Sequence, residues 1–237
     1  MEQLKDFFQK KIVKKVLDVG TGTGDFVSIL KKTFPKANIT GIDPNTESLE
    51  AAHKNYPNVS FSKMTAEELS FPDNSFDVAS ISMALHHLPD VSKSLREIQR
   101  VVKPDGWIII NELFSDNLSP AQEVHKMHHH FRSKIDRILG ISHNNTFTKG
   151  EILKLVENSG IEILFHFEFN SMDEPIKNSE EIEERIKKLE VHLEQVKDYP
   201  EYEILKNQID QFRGKVTKYG IQMPTKIVII GKTRKVK

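Results

Sequence analysis

The chain has 237 residues, 38% of them hydrophobic, which suits one large domain or a domain with insertions better than two independent ones. Lysine plus arginine and aspartate plus glutamate number 34 each, so the formal net charge is zero and the composition argues against a nucleic-acid partner needing a strongly basic face. Cysteine is absent, which excludes disulfides, thiolate metal sites and a cysteine nucleophile. No apolar run approaches a membrane span, and the mixed-charge start Met1-Glu2-Gln3-Leu4-Lys5-Asp6 is unlike a signal peptide, so the expectation is a cytoplasmic protein with no membrane association.

A short helix is predicted over about Gln3–Lys11. Val16-Leu17-Asp18-Val19 then reads as a buried strand, Gly20-Thr21-Gly22-Thr23-Gly24 as a tight turn, and Phe26, Ile29 and Leu30 as one face of a helix ending near Phe34-Pro35. Glycines at such a turn allow positive φ and let a ligand approach main-chain N–H groups. A second strand, Asn38–Ile42, ends in Asp43-Pro44, and Asn45 or Thr46 can cap the helix that follows to about Asn55. Asn58–Phe61 is the third strand. Phe71-Pro72-Asp73-Asn74-Ser75 is turn chemistry before a fourth strand, Phe76–Ile81. A helix over about Val91–Val102 stops at Pro104-Asp105-Gly106, and the apolar run Trp107–Ile110 predicts a strand buried on both faces.

Strands alternating with helices indicate a parallel sheet with helices on both sides, whose ligand sits at the carboxyl ends of the strands. After Glu112 the pattern changes. A helix over about Ser119–Leu139 carries His125, His128, His129 and His130; Thr148 and Glu151 open another helix that Gly160 closes, and Ile161–Phe169 is a sixth strand. Between Ser179 and Lys218 the apolar positions Ile182, Ile186, Leu189, Leu193, Val196 and Tyr202, Leu205, Ile209, Phe212, Val216 step by threes and fours. This predicts an antiparallel helical hairpin with a narrow seam, its second helix opened by Pro200. Lys226–Ile230 is the last strand, and the basic tail Lys232–Lys237 receives no role.

Asp43 lies 19 positions after Gly24, where a carboxylate can accept from both hydroxyls of a ribose. Two cofactor classes fit, a nicotinamide dinucleotide and S-adenosylmethionine. The glycines are not spaced G-x-G-x-x-G, and Asp25 follows them, which does not suit a pyrophosphate.

The motifs Val16–Gly24, Ile42-Asp43, Phe71–Val78, Ala84-Leu85-His86-His87-Leu88 and Arg100-Val101-Val102-Lys103-Pro104-Asp105-Gly106 stand in order over about Val13–Glu112. Together they resemble a class I S-adenosylmethionine-dependent methyltransferase of the broad small-molecule subgroup. The resemblance implies a doubly wound α/β fold: a seven-stranded, mostly parallel sheet whose last strand is antiparallel and inserted beside the fifth. It implies one methyltransferase domain over residues 1–237, with helical insertions at 115–147, covering the acceptor site, and at 178–219, a lid or a homodimer interface. It makes S-adenosylmethionine the cofactor: Asp18 near its ammonium, Gly20, Thr21, Gly22 and Gly24 around its methionine and ribose part, and Asp43 and Pro44 at the ribose. Thr65, Ala66 and Glu67 would lie by the adenine, and Ser82 and Met83 beside the methyl group. Thr65 departs from the acid often found there, and Glu67 offers a substitute.

A small-molecule acceptor is the expectation, with nucleic-acid or protein methylation, or a non-catalytic cofactor-binding or assembly role, as alternatives. Candidate bases are Glu112 and His86 at the strand ends, and His125 and His129, which share a helix face at i, i+4 and can also bind a metal, with His143 able to join them. A solvated histidine-rich helix is the plainer reading, so no metal ligands are assigned.

Overall fold

The computed structural model describes residues 1–170 and 173–233; the basic tail lies outside them from Arg234 on. The chain divides into two compact units. The first comprises Met1–Glu112, Gly150–Phe169 and Lys226–Lys237, and the second Leu113–Lys149 and Asn170–Thr225.

The first unit is built on a seven-stranded sheet of order β3-β2-β1-β4-β5-β7-β6. The strands are β1 (Lys15–Val19), β2 (Asn38–Asp43), β3 (Ser60–Lys63), β4 (Phe76–Ser82), β5 (Val102–Leu113), β6 (Ile161–Phe169) and β7 (Lys226–Thr233). β1 pairs in parallel with β2 and β4, β2 with β3 and β4 with β5, while β6 and β7 are antiparallel. The seven-stranded topology with its inserted last strand is therefore as the resemblance implies. The connecting helices are α1 (Glu2–Phe8), α2 (Asp25–Thr33), α3 (Thr46–Asn55), α4 (Val91–Val101) and α6 (Lys149–Asn158). Val16, Leu17 and Val19 have no solvent exposure, as expected of a central strand covered on both faces. Asn45 caps α3 by accepting from the Ser48 amide, and Asp90 caps α4 by accepting from that of Lys93.

Two motifs that carried the family resemblance prove to be scaffold. The Asp77 carboxylate accepts from the Lys14 and Lys15 amides (2.8 Å each) and from Lys103 Nζ (2.6 Å), tying the entry of β1 to β4 and β5. Burial works against its charge, but the Lys103 ammonium and the two amides outweigh burial and hold its pKa below the usual carboxylate value. Arg100 donates to the carbonyls of Leu69 and Phe71 and to the carboxylates of Asp73 and Glu97, clamping the turn before β4. That guanidinium is the main reason the Glu97 pKa falls to about 2.

Several boundaries differ from expectation. α1 is shorter, β3 sits two residues later, and the helix expected to open at Pro200 begins at Tyr202. The largest difference is at β5, which begins at Val102 rather than Trp107. Val102 pairs with Phe76 and Trp107 with Val78, so the residues between bulge out of the ladder. A Cβ on Gly106 would lie 2.6 Å from Val102 Cγ1 and 2.7 Å from the Asp77 carbonyl oxygen, so any side chain there would clash. α4 ends at Val101, as expected before this proline and glycine, but the two residues also lie in the bulge within β5.

The second unit is a helical bundle of α5 (Pro120–Ile138), α7 (Ser179–Glu194) and α8 (Tyr202–Tyr219). Ser119 and Gln122 form a reciprocal capping box at the start of α5. The predicted seams of α7 and α8 are buried against each other, and Val124, Phe131 and Ile135 of α5 complete the same core. Arg213 on α8 pairs with Glu183 and Glu190 on α7 across the exposed edge.

Replacing Asp77 by alanine removes an acceptor shared by two amides and an ammonium. The expected loss of stability is about 2–4 kcal/mol, read by chemical denaturation. A loss under 0.5 kcal/mol would show that the carboxylate does not hold β1 to β4.

Candidate active site at the carboxyl ends of the strands

The parallel strands β1, β2, β4 and β5 bring their carboxyl ends together along one edge of the sheet. Asp18 stands opposite Gly41 and Ser80, and Ser82 opposite Asn111. The first-unit residues expected at the cofactor lie on these ends or on the loops that leave them, apart from Thr65, Ala66 and Glu67, which follow β3.

The three glycines of the turn after β1 do different work. All have positive φ, at 66°, 52° and 89° for Gly20, Gly22 and Gly24. A Cβ on Gly20 would meet Ala84 Cβ at 2.7 Å, and one on Gly24 would meet the Tyr56 ring at 2.8 Å, so both glycines permit close packing. A Cβ on Gly22 would meet nothing within 4 Å. Only Gly22 opens onto free space, which a cradle for a ligand requires. Its amide donates to Asp43 Oδ2 (2.9 Å), whose other oxygen accepts from the Asn45 amide (2.9 Å). Asp43 is half-buried and Pro44 exposed beside it.

Asp18 is 1% exposed and accepts from the hydroxyls of Thr21 and Ser80, both at 2.7 Å. Burial raises its pKa to about 6, the two hydroxyls oppose that shift, and the negative charge of Asp43 adds to it. Two carboxylates thus flank one turn, with Asp25 in the first turn of α2. Such a site favours a ligand that presents positive charge and hydroxyls over one that presents a pyrophosphate. S-adenosylmethionine, with its ammonium, sulfonium and ribose diol, fits these residues; a dinucleotide does not.

After β2 and β3, Thr65 is exposed and bridges to Glu68, Ala66 is buried, and Glu67 accepts from Ser94 Oγ (3.1 Å). At the end of β4, Met83 has φ 54°, unusual for a residue with a side chain, and its amide donates to the Asn111 carbonyl (2.8 Å). Ser82 Oγ accepts from Asn111 Nδ2 (2.8 Å). Asn111 Oδ1 is buried with no hydrogen-bond partner, an acceptor left over at the strand ends. No role had been expected for Asn111; its signal was a polar residue closing the apolar run Trp107–Ile110.

His86 and Glu112, expected separately as candidate bases, form one pair. Glu112 is 1% exposed; its Oε1 lies 3.0 Å from His86 Nδ1 and its Oε2 accepts from the Leu85 amide (3.0 Å). A carboxylate on Nδ1 fixes the imidazole tautomer with its lone pair on Nε2, as a proton acceptor needs. His125 and His129 belong to the second unit, on α5, as does His143. His143 pairs with Asp136 and His130 with Thr146.

A profile described as "Methyltransferase domain" matches residues 17–110. A demethylmenaquinone methyltransferase of Chlorobaculum tepidum is 33% identical over 143 residues, 60% of this chain and 58% of that protein. The chain thus spans little over half the length of that relative. A demethylmenaquinone methyltransferase of Chlamydia trachomatis is 31% identical over 156 residues, 64% of this chain and 68% of that one. Among solved structures, the YcgJ protein of Bacillus subtilis superimposes with a TM-score of 0.62 at 23% identity, covering 99% of both chains, which shows a shared fold.

Asp18 yields a pH prediction. Its folded pKa lies above the unfolded value of 3.8, so the folded state binds the extra proton between about pH 4 and 6 and stability falls as pH rises through that window. Above it the full penalty of burying the charge remains, on the order of 3 kcal/mol. Asp18→Asn removes that penalty: the ligand-free variant should be more stable than the parent at pH 8, with the difference shrinking towards pH 4. Parallel stability–pH curves for the two proteins would contradict this.

Proposed function

The chain belongs to the class I S-adenosylmethionine-dependent methyltransferases, and from that premise we propose that it moves the methyl group of S-adenosylmethionine to a small molecule, with His86 as base. Bound S-adenosylmethionine supplies a methyl group on a positively charged sulfur, so transfer is an in-line displacement that needs no covalent enzyme intermediate. The chain's own residues then have three tasks. Asp43 receives the ribose hydroxyls, Gly20, Thr21, Gly22 and Gly24 form the turn around the methionine part, and Asp18 lends negative potential for the ammonium. Thr65, Ala66 and Glu67 border the adenine, with Pro44 beside the ribose. Ser82, Met83 and Asn111 line the place of the reacting methyl group, where Asn111 Oδ1 is free to accept.

The observation that carries the chemistry is the buried His86–Glu112 pair at the ends of β4 and β5. Glu112 orients the imidazole, and Nε2 of His86 takes one proton from the acceptor. Proton removal matters most when the acceptor is a hydroxylated aromatic ring, because the phenolate makes both its oxygen and its ring carbons stronger nucleophiles. The two relatives are named for a quinone, demethylmenaquinone, whose reduced quinol form is such a ring, so the acceptor is proposed to be taken in that reduced form. His125 and His129 are not given the base role, which rests on the carboxylate that Glu112 places on the ring of His86.

The segments 115–147 and 178–219, which bear none of the cofactor motifs, are assigned to acceptor recognition. The apolar seam of the hairpin is already buried inside its own bundle. A homodimer through the hairpin would therefore use its outer face, where Val191 (65%), Tyr199 (43%) and Ile204 (56%) are exposed. No described helix is long and apolar enough to cross a membrane.

Calorimetric titration should show S-adenosylmethionine binding that Asp43→Ala weakens at least tenfold; unchanged binding, or tighter binding of a nicotinamide dinucleotide, would overturn the cofactor assignment. With a hydroxylated naphthoquinol as acceptor, His86→Ala and Glu112→Gln should each lower kcat by about 10²–10⁴-fold while cofactor affinity stays within twofold. Activity kept in both variants would remove the pair from the reaction. Sedimentation velocity tests the dimer: Val191→Glu with Ile204→Glu should leave a monomer if the outer face associates.

A further inference from the structure

The helical unit holds a cluster of imidazoles that methyl transfer does not use. His129 projects from α5, and His143 follows that helix on the loop before Lys149. Their rings meet edge to face with centroids 4.7 Å apart, and a ring nitrogen of one lies within 4.8 Å of a ring nitrogen of the other. His143 is 4% exposed, and its Nδ1 lies 2.5 Å from Asp136 Oδ2. The other oxygen of Asp136 faces His192 Nε2 at 3.8 Å.

We propose that His129 and His143 bind a borderline divalent metal ion such as Zn²⁺, with Asp136 behind His143 as the outer carboxylate. Three features carry this. Imidazole nitrogens are the ligands such an ion takes in a chain without cysteine. A carboxylate on the far nitrogen of a ligating histidine is the usual outer partner, because it fixes the tautomer and makes the other nitrogen a stronger donor. Asp136 does this for His143, leaving Nε2 as the donor. The spacing is also close to what is needed: a tetrahedral ion at about 2.0–2.1 Å from each nitrogen holds the two roughly 3.3 Å apart, so the rings must approach by no more than about 1.5 Å.

Two imidazoles supply two of the four ligands of a tetrahedral shell. His125 lies one turn before His129, but its side chain lines a separate small cavity of about 160 Å³ with Asp173, Glu174 and Arg185. The i, i+4 pair that the sequence offers is therefore not the pair that the fold brings together.

The test uses the full chain, free of any histidine tag. Titration with Zn²⁺ should show one equivalent bound, and Co²⁺ should develop the visible absorption of a low-coordinate nitrogen site. His129→Gln and His143→Gln should each abolish that binding, Asp136→Asn should weaken it by about 10–100-fold, and His53→Gln, a histidine of the first unit, should leave it unchanged. Circular dichroism and thermal unfolding establish that each variant is folded, and His129→Gln serves if His143→Gln is not. No stoichiometric binding by the parent protein, or binding that the two glutamine variants retain, would overturn the proposal. The readout is metal binding itself, so it is independent of the methyl-transfer assignment.

Discussion

The strand ends of the first unit are arranged around one buried carboxylate. Asp18 sits in the central strand, where nearly every neighbour is apolar, and a charge there is expensive unless hydrogen bonds compensate it. Two hydroxyls supply that compensation, and each belongs to a different element: Thr21 to the glycine turn and Ser80 to β4. The carboxylate therefore fixes the turn and β4 relative to β1 while keeping negative potential at the strand ends. Its raised pKa measures what this arrangement costs in the absence of a cation. A cationic ligand group would repay that cost, so the preference for a sulfonium donor over a pyrophosphate follows from the same interaction that shapes the turn.

A second level of support keeps this edge of the sheet in place from the opposite end. Asp77 gathers the entry of β1 and Lys103, and Arg100 gathers two carbonyls and two carboxylates around the turn before β4. Neither touches the site. Both belong to the motifs that carried the family resemblance, and in this chain those two side chains hold backbone geometry. Met83 and Gly106 are where that geometry is most constrained, one with left-handed φ and the other too crowded for any side chain.

The sheet and its order were legible because their determinants are local. Apolar runs, turn residues and caps such as Asn45 and Ser119 act over a few positions, and the structure places strands and helices close to where those signals put them. The errors fall where a long-range contact overrides a local rule. Trp107 reads as the start of the fifth strand, yet pairing of Val102 with Phe76 starts it directly after α4 and makes Pro104-Asp105-Gly106 a bulge within it. The same distinction governs the site. Gly22 and Asp43 could be read from spacing, whereas the pairing of His86 with Glu112 joins residues 26 positions apart and required the register of β4 on β5.

The histidines show most clearly what spacing leaves undetermined. His125, His128, His129 and His130 stand within six positions, and from helical periodicity alone His125 and His129 are the natural pair. In the folded chain each meets a different environment. His128 stacks near Phe212, and burial drives its pKa down to about 3, so it stays neutral as part of the apolar packing. His130 holds Thr146, also with a lowered pKa from burial, while His129 turns to His143. The loop from 139 to 148 decides the surroundings of His129 and His130, because it returns His143 and Thr146 to the helix they follow, whereas α8 supplies the neighbour of His128. Neighbouring imidazoles with one intrinsic chemistry therefore come to differ through contacts made by distant segments. The glycine turn, by contrast, takes its form from residues adjacent in sequence, which is why it could be read before the fold was known.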